Sequence, residues 1–115
     1  MKIGIPSSED KKMVADNFGR TYYFAIYDTD TKSFDFVDNT SNLNAMQGAG
    51  IQAASSVVNH KAQVVLSPRI GPKAYGVLEQ AGIKMYLIPE ANTSLESALE
   101  LFNKGKLEMM KGFVR

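Results

Sequence analysis

The 115-residue chain has no cysteine and no tryptophan, and its single histidine is His60. Without cysteine there is no disulfide framework, no thiolate nucleophile, no CxxC redox pair and no thiolate ligand for zinc or an iron–sulfur cluster. A transition-metal site made by the protein alone would have to rely on carboxylates. No stretch approaches the roughly 18 apolar residues of a membrane span, and the opening Met1-Lys2-Ile3-Gly4-Ile5-Pro6 is too short an apolar run for a signal peptide. A cytoplasmic protein with no membrane association is expected. At roughly 100–200 residues per domain the length predicts one domain, large enough to bury a core without covalent staples.

Acidic residues are missing from one long block. Residues 1–38 carry seven acids against five bases, residues 39–78 carry Lys61, Arg69 and Lys73 and no acid, and residues 79–115 balance at five of each. The middle of a chain with net charge +1 is therefore hospitable to anions. Three dispersed bases fall well short of the basic footprint of a nucleic-acid-binding domain, so no nucleic-acid partner is expected.

Lys2–Pro6 reads as a first strand that Pro6 ends, followed by a polar loop, Ser7–Asp16. Tyr22–Tyr27 and Ser33–Val37 alternate aromatic and β-branched residues around a polar turn and predict a β-hairpin. Asn39–Gln47 reads as structureless. A helix is predicted over Ile51–Asn59, with Ile51, Ala54, Ser55 and Val58 on one face. Ala62–Leu66 reads as a buried strand. A helix opened by Pro72 follows, with Ala74, Val77, Leu78 and Ala81 inward and Gly82 as its stop. Ile83–Ile88 is a further buried strand. Thr93-Ser94-Leu95-Glu96 has capping-box spacing and starts a last helix through Phe102 that Gly105 ends. The tail, Lys106–Arg115, shows no periodicity. The order βββαβαβα predicts an α/β sandwich with helices on both faces of a five-stranded mixed sheet, order 3-2-1-4-5, strand 2 antiparallel. One domain is expected over residues 1–105, with 106–115 as a tail. Ligands of open α/β sheets bind beyond the carboxyl ends of the parallel strands. There, the loops after Pro6, from Asn39 to Gly50 and from Ser67 to Pro72 should meet.

Two helix starts carry most of the chemistry. Gly48-Ala49-Gly50-Ile51-Gln52-Ala53 matches G-x-G-x-x-A, yet a polar stretch instead of a strand precedes it and no acid lies near residue 70 to hold a ribose, which excludes a dinucleotide fingerprint. What remains is either an anion-binding helix N-terminus or a glycine pair for close packing. Ser67-Pro68-Arg69-Ile70-Gly71-Pro72-Lys73 is a second such start, and Asn17-Phe18-Gly19-Arg20 adds another arginine. Singly, Arg20 and Arg69 read as surface residues; with two helix starts they suggest one shared anion cradle. His60 falls at the far end of a helix, Asp28 and Asp30 suit a turn, and no general base is visible, so an enzyme is not expected.

These segments occur in the order of a known family. Asn17-Phe18-Gly19-Arg20, Gly48-Ala49-Gly50-Ile51-Gln52-Ala53-Ala54, Ile70-Gly71-Pro72-Lys73-Ala74 and Ala81-Gly82-Ile83-Lys84-Met85-Tyr86 resemble the dinitrogenase iron–molybdenum cofactor biosynthesis domain over about residues 1–105. That domain occurs in NifX- and NifY-type accessory proteins and at the end of NifB. The resemblance implies a ribonuclease H-like fold and a protein that binds anionic iron–sulfur cofactors or precursors and passes them to partner proteins. It does not bring nuclease activity, since Lys2–Pro6 has no acid to hold metal ions. Family members commonly carry histidine where this chain has Asn17 and Gln47. Amides are poor iron ligands, so the expected site is a cradle of Asn17, Arg20, Gln47, Gly48, Gly50, Arg69, Gly71 and Lys73 that holds a preformed cluster or small anion by charge and backbone N–H groups. The alternative is a protein-interaction or regulatory module of the same fold that binds no cofactor.

Overall fold

In the computed structural model, residues 1–44, 47–89 and 92–113 are described. One mixed sheet runs in the order β3-β2-β1-β4-β5-β6. Its strands are β1 (Lys2–Ser7), β2 (Tyr23–Asp28), β3 (Ser33–Asp38), β4 (Val64–Ser67), β5 (Lys84–Leu87) and β6 (Glu108–Met109). β1, β4 and β5 are parallel, while β2, β3 and β6 each run antiparallel to the strand they join. The first five strands keep the expected order and the sheet has a sixth. β6 pairs Met109 with Tyr86 and Glu108 with Leu87, and Met110 beside it is buried. Two residues with no alternation leave no periodic trace, so β6 exists through its partner strand alone.

Strand alternation sorts the core into two layers. Phe24 and Ile26 of β2 face α1 (Ala49–Asn59) and α2 (Pro72–Gln80), while Ile3 and Ile5 of β1 join Val64 and Leu66 beneath α3 (Leu95–Asn103). Pro6 does not end β1. It lies past the last β1–β4 register pair, Gly4 with Val65, and keeps its place opposite Phe24 of β2.

The helices depart from their predicted faces for identifiable reasons. α1 starts at Ala49, and its buried residues are Ala49, Ala53, Ala54 and Val57; Ile51 is 42% exposed and Ser55 is exposed. The core stripe is thus made mostly of alanines, and close approach outweighs side-chain hydrophobicity. Ala81 is exposed, because α2 ends at Gln80 and Gly82 takes a left-handed φ of 75°. The cap of α3 lies one residue later than the capping-box spacing suggests: Ser97 N–H donates to Ser94 Oγ at 3.0 Å. Gly105, φ 69°, follows its last turn as expected. The stretch after Asn39 is not structureless, for it forms a short 3-10 turn, Thr40–Asn42.

Ser94→Ala removes the side-chain cap of α3. It should lower stability by about 1 kcal/mol, read as a lower urea midpoint with an unchanged denaturant slope.

Candidate functional site

A cleft of about 410 Å³ opens where the loop after β1 meets the N-terminal ends of α1 and α2. Each part is placed by backbone chemistry. Asn17 Oδ1 accepts from the N–H groups of Gly19 (2.9 Å) and Arg20 (3.3 Å), which folds Asn17–Arg20 into a tight turn. Phe18 anchors that turn: its ring is fully buried 4.8 Å from Phe24, and its N–H donates to the Arg69 carbonyl at 3.3 Å.

Glycine is favoured at two points. A Cβ on Gly19 would lie 3.3 Å from the Gly50 backbone, so the turn rests directly on α1. Gly48 has a left-handed φ of 76° with open space around it, a conformation that glycine adopts without steric cost.

The two helices present bare N-termini. Neither Gly48 nor Gly71 offers a capping side chain, and neither first turn holds an acid. Helical bonding opens with Gln52 N–H to Gly48 O (3.0 Å) in α1 and Tyr75 N–H to Gly71 O (2.9 Å) in α2. Ahead of them stand the amides of Ala49, Gly50, Lys73 and Ala74, all residues that line the cleft. The positive ends of both helix dipoles therefore act on one volume. α3 differs in both respects, with a serine cap and Glu96 in its first turn.

Arg20 and Lys73 add full positive charges to the lining, which contains no acid among the described residues. The Arg20 guanidinium donates to the Asn42 and Leu43 carbonyls, both at 3.4 Å. Those carbonyls are placed by buried asparagines that the sequence pattern did not single out. Asn39 Nδ2 donates to Thr21 O (2.8 Å) and Gly19 O (3.3 Å), and Asn42 Nδ2 donates to Asn39 Oδ1 at 2.7 Å. Asp38 completes the turn by accepting from the Thr40 hydroxyl (2.6 Å) and N–H (2.7 Å), and these bonds hold its carboxyl below the ordinary carboxylate value. A cluster of three asparagines before a glycine-rich helix start was the available signal.

The cleft gathers Asn17, Arg20, Gln47, Gly48, Gly50, Gly71 and Lys73 of the expected cradle. Arg69 is not in the lining. Its side chain is exposed, and its carbonyl serves the fold by accepting from Phe18 N–H and from Ser67 Oγ (2.9 Å). His60 caps the opposite end of α1, with Nδ1 2.8 Å from Ser56 O. Among the described residues no three His, Asp or Glu side chains gather as a metal-binding group. Asn17 has its one side-chain acceptor engaged twice within the turn, which leaves the NH₂ end as the donor it can offer. A larger groove of about 530 Å³ beside α3 lacks this character, for it contains Glu100 ion-paired with Lys104 at 2.6 Å.

The family model for the dinitrogenase iron-molybdenum cofactor family matches residues 1–105. The chain belongs to that family. An uncharacterised protein of Methanocaldococcus jannaschii is 37% identical over 112 residues, covering 94% of this chain and 90% of that one. The apo form of the orange protein from Desulfovibrio gigas superposes with a TM-score of 0.90 at 31% identity, covering 99% of this chain and 96% of its own. A Thermotoga protein described as a candidate NifB protein gives a TM-score of 0.82 at 33% identity, over 99% and 97% of the two chains. The family match takes in the whole cleft and stops before β6. No helix among the described residues is long and apolar enough to cross a membrane.

Asn39→Ala would strip partners from the Thr21 and Gly19 carbonyls and from Asn42 Nδ2. A buried network left open in this way should cost about 1–3 kcal/mol, measured by denaturant unfolding.

Proposed function

We propose that the cleft binds a preformed, negatively charged iron–sulfur or iron–molybdenum-type cluster, or a related small anion, and that the protein carries this cargo for delivery to a protein partner without transforming it. The observation that carries this reading is the convergence of two uncapped helix N-termini with Arg20 and Lys73 in one cleft whose described lining has no acid. Such a wall is made of hydrogen-bond donors: backbone amides, a guanidinium fork, an ammonium and the NH₂ of Asn17.

The donor set also describes the cargo. Among the described residues, none in the lining is Cys, His, Asp or Glu, so a metal in the cleft would find no strong ligand among them. A cluster that brings its own sulfide ligands and a net negative charge needs none, because N–H groups can reach its sulfurs and the two helix ends balance its charge. Membership of a family described by the iron-molybdenum cofactor agrees with this chemistry.

The test is anaerobic incubation with a preformed iron–sulfur cluster or isolated iron–molybdenum cofactor, followed by gel filtration and metal analysis. The wild-type chain should retain cluster stoichiometrically, with retention falling as salt rises because the attraction is screened. The double variant Arg20→Glu, Lys73→Glu should bind at least about tenfold more weakly, since each lost charge-assisted contact is worth about 1.5–3 kcal/mol. A wild-type chain that elutes without metal would overturn the carrier assignment in favour of a protein-interaction module.

A further inference from the structure

The face of the sheet that carries α3 has one helix where the opposite face has two. Six strands at roughly 4.8 Å make a layer about 24 Å across, and one helix of about 10 Å covers less than half of it. The opposite face has two helices, whereas here the one helix, α3, packs Leu95, Ala98 and Leu99 with Ile3, Ile5, Val64 and Leu66, and Val14 and Ile88 from the flanking loops join them. Beyond it, on the β2–β3 hairpin, Tyr27, Phe34 and Phe36 stay half-buried. Their rings form a strip, with centroids 5.0 Å apart from Tyr27 to Phe34 and 5.8 Å from Phe34 to Phe36. Two hollows of about 500 and 590 Å³ border this strip and share Phe34 and Glu96, so they run on as one groove between α3 and β3.

The groove is basic at both ends. Lys11 and Lys12 line one hollow and Lys32 the other, and among the described residues none of the three makes an ion pair. Lys11 takes a left-handed φ of 63°, and its ammonium lies 4.8 Å from the Tyr23 ring centroid and 5.5 Å from that of Phe36. Cation–π attraction fixes that charge at the groove's mouth. Against these lysines stand Glu96 in the groove and, outside its lining, Asp38 towards Lys11 and Asp10 towards Lys12, neither within ion-pair distance, while Glu100 is paired with Lys104.

We propose that this groove docks an acidic amphipathic helix of a partner protein. Its apolar stripe covers Tyr27, Phe34 and Phe36, and its carboxylates meet Lys11 and Lys12 at one end and Lys32 at the other. The six residues of β3 extend about 20 Å at roughly 3.3 Å each, a span matched by about 13 residues of helix. A helix laid beside α3 completes the layer with the same two-helix arrangement as the opposite face. A second copy of this chain is the poorer occupant, because a two-fold interface would bring one set of lysines towards the other. The groove lies on the α3 face and the cleft at the starts of α1 and α2 on the other, so partner and cargo can be held together, and docking in the groove does not depend on what the cleft binds.

The experiment is selection of a displayed library of helical peptides against the intact protein, with affinities then measured by fluorescence anisotropy. Selected peptides should carry acids at both ends of an apolar i, i+3, i+4, i+7 stripe. Their affinity should fall at least tenfold in Lys11→Glu, a surface change that leaves the core untouched, and in Phe34→Ala. Three outcomes would overturn the proposal: no binders, or binders that are basic or indifferent to both variants, or a wild-type dimer that Phe34→Ala returns to monomer.

Discussion

A Cβ on Gly19 would stand 3.3 Å from the Gly50 backbone, and one on Gly50 would stand 3.4 Å from Ala74 Cβ. The turn after β1, the first turn of α1 and the first turn of α2 therefore meet at nearly backbone distance. This contact makes two helix ends share one cleft, and larger side chains at these positions would wedge the dipoles apart. The alanine stripe of α1 is the continuation of the same constraint, since Ala53 and Ala54 let the helix lie close to the core beside Ala74 and Leu78. The exposure of Ile51 follows from it.

Charge placement turns that geometry into chemistry. Bare helix N-termini are stabilised by whatever anion they find, and most helices supply one of their own, as α3 does with Ser94 and Glu96. α1 and α2 supply none. The acid-free block from residue 39 to 78 keeps carboxylates off both helix starts, so the cleft keeps its potential for an external ligand. The other face of the sheet has a different character: aromatic rings and lysines, with no helix terminus bare. The fold thus separates a donor-lined cleft from an apolar, basic groove, and one sheet supports both.

Much of this was legible from the chain. Alternation in Tyr22–Tyr27 and Ser33–Val37 marked the hairpin, apolar runs marked β4 and β5, and Gly82 and Gly105 marked helix ends, because each signal is local. The cleft was legible in the same way, since Gly48, Gly50, Gly71 and Lys73 sit at helix starts that follow directly from the pattern. Signals carried by distant partners were not. β6 depends on β5 for its existence. The turn at Thr40–Asn42 depends on Asn39 reaching Thr21 and Gly19 across the fold. Arg69 is one residue before Ile70, which is fully buried, and at that position the chain commits its carbonyl to Phe18 and leaves its side chain outside the cleft.

By itself the sequence determined the strand and helix order, the uncapped glycine starts, the absence of thiolate chemistry and the anion-friendly middle of the chain, since all of these are properties of residue type and near neighbours. The tertiary structure alone decided which faces of the helices turn inward, which arginine reaches the cleft, where Asn17 spends its only side-chain acceptor, and which aromatic rings of the sheet stay half-buried. Those outcomes rest on contacts between segments far apart in the chain, where steric approach and hydrogen-bond satisfaction outweigh local preference.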